Sequence, residues 1–285
     1  MQPASAASAD TPGTKNPSPA LRRRHSQTGS EIPILEVKNV SKRFVLQGQS
    51  IDALRDANLT VRKGEFICLI GASGCGKSTL LRIVAGFEQP TSGEALMWGK
   101  SIAGPAPDRG MVFQDYGLFP WLTVRQNIGF GPASRGRPKA EVRETVDRFV
   151  EMVGLTRFAD VWPHQLSGGM KQRVAIARVL ANDAEMVLMD EPFGALDAMT
   201  RERLQDELLE IWQRTGLTVL FVTHSIEEAI FLSKRVVVME PGPGRIASTH
   251  EVELPRPRDV ASPEFNAVRR VLSARLHSHH APKAA

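Results

Sequence analysis

The sequence predicts an α/β fold, a largely parallel sheet covered by helices and interrupted by one helical segment. Three observations predict it. The apolar run EFICLI at 65–70 leads through the glycine-rich loop GASGCGKST into LLRIVAG, which continues at helical spacing. A continuous apolar run bounded by glycine is the pattern of a strand buried on both faces. After residue 184 strand and helix patterns alternate again, as expected for parallel strands joined by crossover helices. Between about 115 and 181 the pattern is helical.

The elements follow in order. ILEVKNV at 34–40 and LTV at 59–61 read as short β segments, the start of a small antiparallel β part before the buried strand. The helix after the glycine-rich loop stops at Gly86. In the middle region Val142, Val146, Phe149, Val150 and Val153 share one helix face opposite charges, and Gly154 is the stop. MVLMD at 186–190 reads as a strand. Leu204, Leu208 and Ile211 mark an amphipathic helix, and TVLFVTH and RVVVME are two further strands. No internal repeat is present. We expect a disordered leader over 1–30, a nucleotide-binding domain over 31–260 with its helical subdomain at about 115–181, and a C-terminal helix with a frayed tail over 261–285.

At 285 residues, 42% hydrophobic and 24% charged, the chain has the composition of an ordinary globular protein with a sizeable core. No apolar run approaches the roughly 18 residues that suggest a membrane span. A membrane role therefore runs through a partner or the bilayer surface. The net charge of +5 resembles a nucleic-acid signal, but much of it sits at the ends, including Arg22, Arg23 and Arg24, and no nucleic-acid partner is expected. The leader lacks apolar periodicity and buries too little surface to offset its ordering. A twin-arginine export signal is excluded because HSQTGSE, not an apolar stretch, follows Arg24. The tail HSHHAPKAA reads as a frayed terminus, with adventitious metal binding as the alternative. Cys68 and Cys75 lack CxxC spacing and build neither a disulfide framework nor a zinc site, which fits a reducing compartment.

GASGCGKS at 71–78 matches G-x-x-x-x-G-K-[ST] in full. In such a loop backbone N–H groups and a helix N-terminus point at phosphates, where the helix dipole favours negative charge. Gly71, Gly74 and Gly76 permit the backbone conformations this needs, with Ala72, Ser73, Cys75 and Thr79 completing the ATP-binding segment. Lys77 supplies a point charge for the β- and γ-phosphates, and the Ser78 hydroxyl suits Mg²⁺. Downstream, EMVLMDEP ends an apolar strand in two carboxylates. Asp190 is placed to reach the metal, and Glu191 to polarise attacking water as a general base. Two acids at a strand end are also common as solvated groups; the phosphate loop upstream favours the catalytic assignment.

LSGGMKQR at 166–173 resembles the signature of ABC ATPases, with Met170 where glutamine is more usual. The resemblance covers nearly all of 34–240 in the expected order, and it implies the remaining roles. Phe44 matches the aromatic on which adenine stacks. Gln114, in MVFQDYGLFP, matches the glutamine that links Mg²⁺ and water to the helical subdomain. GALD at 194–197 resembles the dimer-contact loop, carrying Asp197, and His224 matches the switch histidine that senses the γ-phosphate. Ser167, Gly168 and Gly169 would contact ATP held by a second ATPase subunit, favouring a homodimer with two ATP molecules between the copies. A finer resemblance, carried by VFQDYGLFPWLTVRQNIGFG, GPGRI and LPRPRD, is to ATPase subunits of nitrate, sulfonate, taurine and bicarbonate importers.

The resemblance thus implies an ATPase at the cytoplasmic face of the inner membrane, partnered by integral permease subunits and indirectly by a substrate-binding protein. GLFPW at 117–121 either lines the groove for a short helix of the membrane subunit or packs internally. Two other readings are a non-transport ABC ATPase and a P-loop small-molecule kinase. The first is opposed by the absence of sustained heptads between the loop and the signature. LSGGMKQR and His224 oppose the second. The cargo is not encoded here.

Overall fold

The computed structural model describes residues 33–278, apart from residues 47 and 195. The leader, the tail beyond Ser278 and Ala195 of the GALD segment lie outside the described residues. A six-stranded sheet runs in the order β10-β9-β3-β8-β7-β6. Its members are β3 (Phe66–Gly71), β6 (Arg109–Val112), β7 (Met186–Asp190), β8 (Thr218–Thr223), β9 (Arg235–Glu240) and β10 (Arg245–Glu251). All pairings among β9, β3, β8, β7 and β6 are parallel, and β10 closes one edge antiparallel to β9. A second, antiparallel sheet has the order β2-β1-β4-β5, built from β1 (Leu35–Leu46), β2 (Gln49–Val61), β4 (Ser92–Met97) and β5 (Lys100–Ser101).

The two-residue period of the strands divides the interior into two cores. Phe66, Cys68 and Ile70 of β3 join Val187, Met189, Val219 and Phe221 on one face of the central sheet. Ile67 and Leu69 join Leu188, Leu220 and Val222 on the other, against the antiparallel sheet and helix α1 (Lys77–Ala85). With both faces covered, β3 is buried at every position, which explains its unbroken apolar run. Helix α1 ends in Gly86 at φ 82°, where an added Cβ would stand 2.2 Å from the Gly104 carbonyl, so only glycine fits.

Between β6 and β7 lie α2 (Val124–Ser134), α3 (Lys139–Met152), two short 3₁₀ turns and α4 (Gly168–Ala181). Their apolar faces (Val124, Ile128, Val146, Phe149, Val150, Ala175, Ile176) enter the first core and share it with the sheet. Then α5 (Ala198–Thr215), α6 (Ile226–Leu232) and α7 (Pro263–Ser278) cover the same face. The antiparallel sheet is larger than LTV at 59–61 suggests. β2 runs from Gln49, and most of its residues before Ala57 are exposed or half-buried, so the strand lacks the apolar signal that reveals a buried one. β4, β5 and β10 are half-exposed or edge strands and escaped detection for the same reason.

Candidate nucleotide site

Four of the elements singled out in the sequence emerge from the carboxyl ends of four adjacent parallel strands. The glycine-rich loop follows β3, His224 follows β8, Asp190 and Glu191 end β7, and Gln114 follows β6. Ligands of open parallel sheets bind outside this edge. A cleft of about 640 Å³ there is lined by Ser78, Phe113, Gln114, Asp115, Asp190 and Glu191.

The loop is shaped by two glycines with no room for a side chain. At Gly76, φ 90°, a Cβ would meet Leu54 Cδ2 at 2.6 Å and the Ala53 carbonyl at 2.8 Å. At Gly71 it would meet Cys75 Sγ and the Met239 carbonyl, both at 2.6 Å. Gly74, φ 77°, has nothing within 4 Å on that side, the open side of the loop. Lys77 is only 6% exposed, and its ammonium donates to the carbonyls of Gly71 at 2.8 Å and Ala72 at 3.1 Å. This is a buried cation held by neutral acceptors, a strong charge with no carboxylate partner. The Ser78 hydroxyl donates to Asp190 Oδ1 at 3.0 Å, joining β7 to the loop. Burial pushes the Asp190 carboxyl above the ordinary carboxylate range; the Ser78 hydrogen bond works against that shift.

Glu191 has φ 47°, a conformation that costs an ordinary residue about 1–3 kcal/mol and clusters at functional sites. It is held there by its N–H on the Val222 carbonyl at 3.0 Å and by its carbonyl accepting from Gly194 N at 3.1 Å. Its Oε2 lies 3.3 Å from His224 Nδ1. Gln114 is exposed, and its Nε2 stands 3.4 Å from where a Cβ on Gly194 would be.

Of the signature and dimer-loop residues, Ser167 and Asp197 are exposed, Gly168 is half-buried and Gly169 is buried. Ser167 caps α4 by accepting from Met170 N at 3.3 Å, and Gly168 and Gly169 open that helix. Leu204 Cδ2 would lie 2.6 Å from a Cβ on Gly169, so α4 packs on α5 through a bare backbone. Asp197 caps α5 by accepting from Thr200 N at 3.0 Å, and that bond lowers its pKa. Phe44, half-buried on β1, carries the Lys42 ammonium 4.9 Å from its ring centre.

Two supports went unread in the sequence. Arg178, half-way along the apolar run VAIARVLA, donates to the carbonyls of Gly117 at 2.7 Å and Tyr116 at 3.3 Å. It ties the signature helix to the segment after Gln114, and burial lowers its pKa. A lone arginine inside an apolar helical run was the available signal. The turn at 241–244 is the other support. Gly244 exchanges hydrogen bonds with β2, Gly244 N to the Ala53 carbonyl at 3.2 Å and Arg55 N to the Gly244 carbonyl at 2.9 Å. A Cβ on Gly244 would fall 2.2 Å from the Cys75 carbonyl, so the GPGRI glycine is pressed against the phosphate loop.

No group of three or more His, Cys, Asp or Glu among the described residues is arranged to hold a metal by itself. Ser78, Asp190 and Gln114 offer a partial set of oxygen donors. That suits Mg²⁺, which keeps waters and takes ligands from substrate phosphates. Fold and site together define a phosphate-loop nucleotide hydrolase, with a buried lysine, a hydroxyl–carboxylate pair and a second carboxylate beside a histidine.

Comparison with known proteins narrows the class. The family model "ABC transporter" matches residues 54–194. An ABC transporter ATP-binding protein of Methanocaldococcus jannaschii is 55% identical over 231 residues, 81% of this chain and 86% of its own length. The taurine import ATP-binding protein TauB of Roseobacter denitrificans is 52% identical, covering 74% of this chain and 80% of its own. The nitrate import ATP-binding protein NrtD of Synechocystis is 49% identical, covering 78% and 83%. A dimeric ATP-binding cassette solved in a post-hydrolysis state with ADP and Pi superposes with a TM-score of 0.66 at 33% identity, covering 77% of this chain and 99% of that one. The chain belongs to the ABC transporter family of ATP-binding proteins, whose members hydrolyse ATP to power transport. No helix among the described residues is long and apolar enough to cross a membrane.

Proposed function

We propose that this chain works as one of two copies in a nucleotide-sandwich dimer that energises import of a small anion, a sulfonate, taurine or nitrate, through separate membrane subunits. The observation that carries the chemistry is the convergence of Lys77, Ser78, Asp190, Glu191 and His224 on one edge of the parallel sheet. The similarity to TauB and NrtD supports the cargo class.

ATP enters with its adenine on Phe44 and its phosphates over the loop 71–79, where the Lys77 ammonium exchanges the Gly71 and Ala72 carbonyls for β- and γ-phosphate oxygens. Ser78 and Asp190, with Gln114, would hold Mg²⁺, which would supply charge neutralisation at those oxygens. Glu191 accepts a proton from water as the water oxygen bonds to the γ-phosphorus and the bond to ADP breaks. His224, hydrogen-bonded to Glu191, steadies the γ-phosphate. Ser167 and the N–H groups of Gly168 and Gly169 meet the γ-phosphate held by the other copy, where the α4 dipole favours it, and Asp197 lies at the seam.

The permease docks where GLFPW leaves apolar surface. Trp121 is 70% exposed, and a cleft of about 590 Å³ beside it is lined by Leu122, Gly129, Phe130, Val142 and Val146. In this reading the assembly works at the cytoplasmic face of the membrane. The test is growth of a deletion strain on taurine or an alkanesulfonate as sole sulfur source, with sulfate and nitrate-only media as controls. Loss of growth on the sulfonate, rescued by wild type and not by Lys77→Ala, supports an organosulfonate importer. A defect confined to nitrate moves the cargo to nitrate, and no defect on either removes both cargoes and leaves the ATPase assignment intact.

A further inference from the structure

A buried ion pair ties the short helix after His224 to the loop that carries Asp197. Glu228 of α6 is 6% exposed, and its Oε2 accepts from the Thr223 hydroxyl at 2.5 Å. Thr223 immediately precedes His224, and its Oγ1 in turn accepts from Ser225 N at 3.0 Å. The Ser225 hydroxyl accepts from Glu228 N at 3.2 Å. The Thr223 hydroxyl thus joins the Glu228 carboxylate to the residue before His224 and to the amide of the residue after it. The imidazole itself has a single side-chain hydrogen bond among the described residues, to Glu191, and is 62% exposed. Its position rests on that backbone.

The other oxygen of the same carboxylate faces a second element. Glu228 Oε1 lies 3.4 Å from Arg201 Nε, at an angle that makes an ion pair rather than a closed hydrogen bond. Arg201, in the first turn of α5, donates through Nη2 to the Leu196 carbonyl at 2.9 Å, one residue before Asp197. A buried carboxylate persists only when it is paired, so neither partner is free to move alone. Burial pushes the Glu228 carboxyl up, while Thr223 and Arg201 draw it back. The chain Leu196–Arg201–Glu228–Thr223–His224 is thus continuous.

We propose that Arg201 and Glu228 are positioning residues that couple the switch histidine to the dimer-facing loop, so that seating the second copy on residues 196–197 sets His224 for the γ-phosphate. The proposal rests on the roles of His224 and Asp197 given above. Coupling of this kind needs a physically contiguous network whose members lose function together. A purely structural pair would lower stability and leave the kinetic constants of the folded fraction intact.

The experiment measures kcat and KM for ATP on the full chain, with thermal unfolding as a fold check, for Glu228→Gln, Arg201→Met and the double variant. Each single variant should lower kcat by about tenfold with KM within about twofold, and the double should be no more than about twofold slower than the worse single, the signature of coupled neighbours. In the Glu191→Gln background, either substitution should weaken ATP-driven dimerisation by about tenfold. Thr223→Val, which keeps the size and removes the hydroxyl, reads the same link if Glu228→Gln fails to fold. Losses that multiply in the double variant, or wild-type kcat in the singles, overturn the coupling. If Glu191→Gln turns over ATP as fast as wild type, the catalytic assignment fails first; if it is silent and the losses multiply, only the coupling fails.

Discussion

The phosphate-loop side and the signature side of this molecule are built in opposite ways. Lys77 is buried, Asp190 half-buried and Ser78 exposed, yet each is bonded to a group of the same site. Ser167 and Asp197 are exposed, and their side-chain bonds go to backbone N–H groups three residues further on. One side is finished within the chain. The other has satisfied helix ends and outward-facing N–H groups, an arrangement that gains its chemistry only from something placed against it. The difference teaches that what a side chain bonds to, more than its exposure, separates a site completed within the chain from one that is not.

Five substitutions at four residues break or sharpen this contrast. The largest effect belongs to Glu191→Gln, which should slow steady-state hydrolysis by at least about a hundredfold, the order lost with a general base. ATP should still bind, and ATP-bound dimers should accumulate in size-exclusion chromatography. Near-normal turnover would remove Glu191 from the role. Lys77→Ala should lower turnover by a comparable factor, about 10²–10³-fold, because one preorganised donor to the developing charge is lost.

Ser167→Asp tests the outward side. Aspartate caps a helix as well as serine does, so the melting temperature should hold. Its charge would oppose a γ-phosphate of the partner, and turnover should fall by about tenfold or more, as expected for like charges brought together across an interface. Ser167→Ala should do the reverse, costing about 1 kcal/mol of stability through the lost cap with a smaller loss of rate. Equal turnover in both variants would mean that the signature end faces only solvent.

The smallest effect on stability is that of Asp190→Asn. Burial raises this carboxyl, so the folded chain holds its ionised form less well than the unfolded chain does. That penalty is present at pH values above the raised pKa and fades as pH falls towards the unfolded value near 3.9. Nucleotide-free Asp190→Asn should therefore melt about 1–3 °C higher than wild type at pH 7.5, scaled for a chain of this size, and the gain should vanish near pH 4. Calorimetry of the two proteins across that range checks it, and MgATP hydrolysis should be lost at the same time.

Legibility followed chain distance. The phosphate loop was readable because its parts are neighbours: Gly76 must take φ 90°, Gly71 has no space for a Cβ, and Lys77 reaches back to its own loop. The sequence assigns Ser78 and Asp190 each to the metal, and nothing in it shows that the two, 112 residues apart, are hydrogen-bonded to each other. The contact of Gly244 with Cys75 and the bonds from Arg178 to Tyr116 and Gly117 were not readable at all. Nothing near those residues names their partners. β2 hid for another reason: a strand with one solvated face alternates weakly, and its Asp and Asn residues read as loop.

The sequence by itself determined the α/β class, the phosphate loop, the order of the motifs and the family, because period, glycine placement and local spacing are written along the chain. Only the tertiary structure decided which strand ends stand side by side. It also decided that the helical segment shares its core with the sheet, and that His224 is tied through Glu228 and Arg201 to the loop before Asp197. Those are contacts between distant residues, selected by burial and pairing in three dimensions, and local pattern carries no record of them.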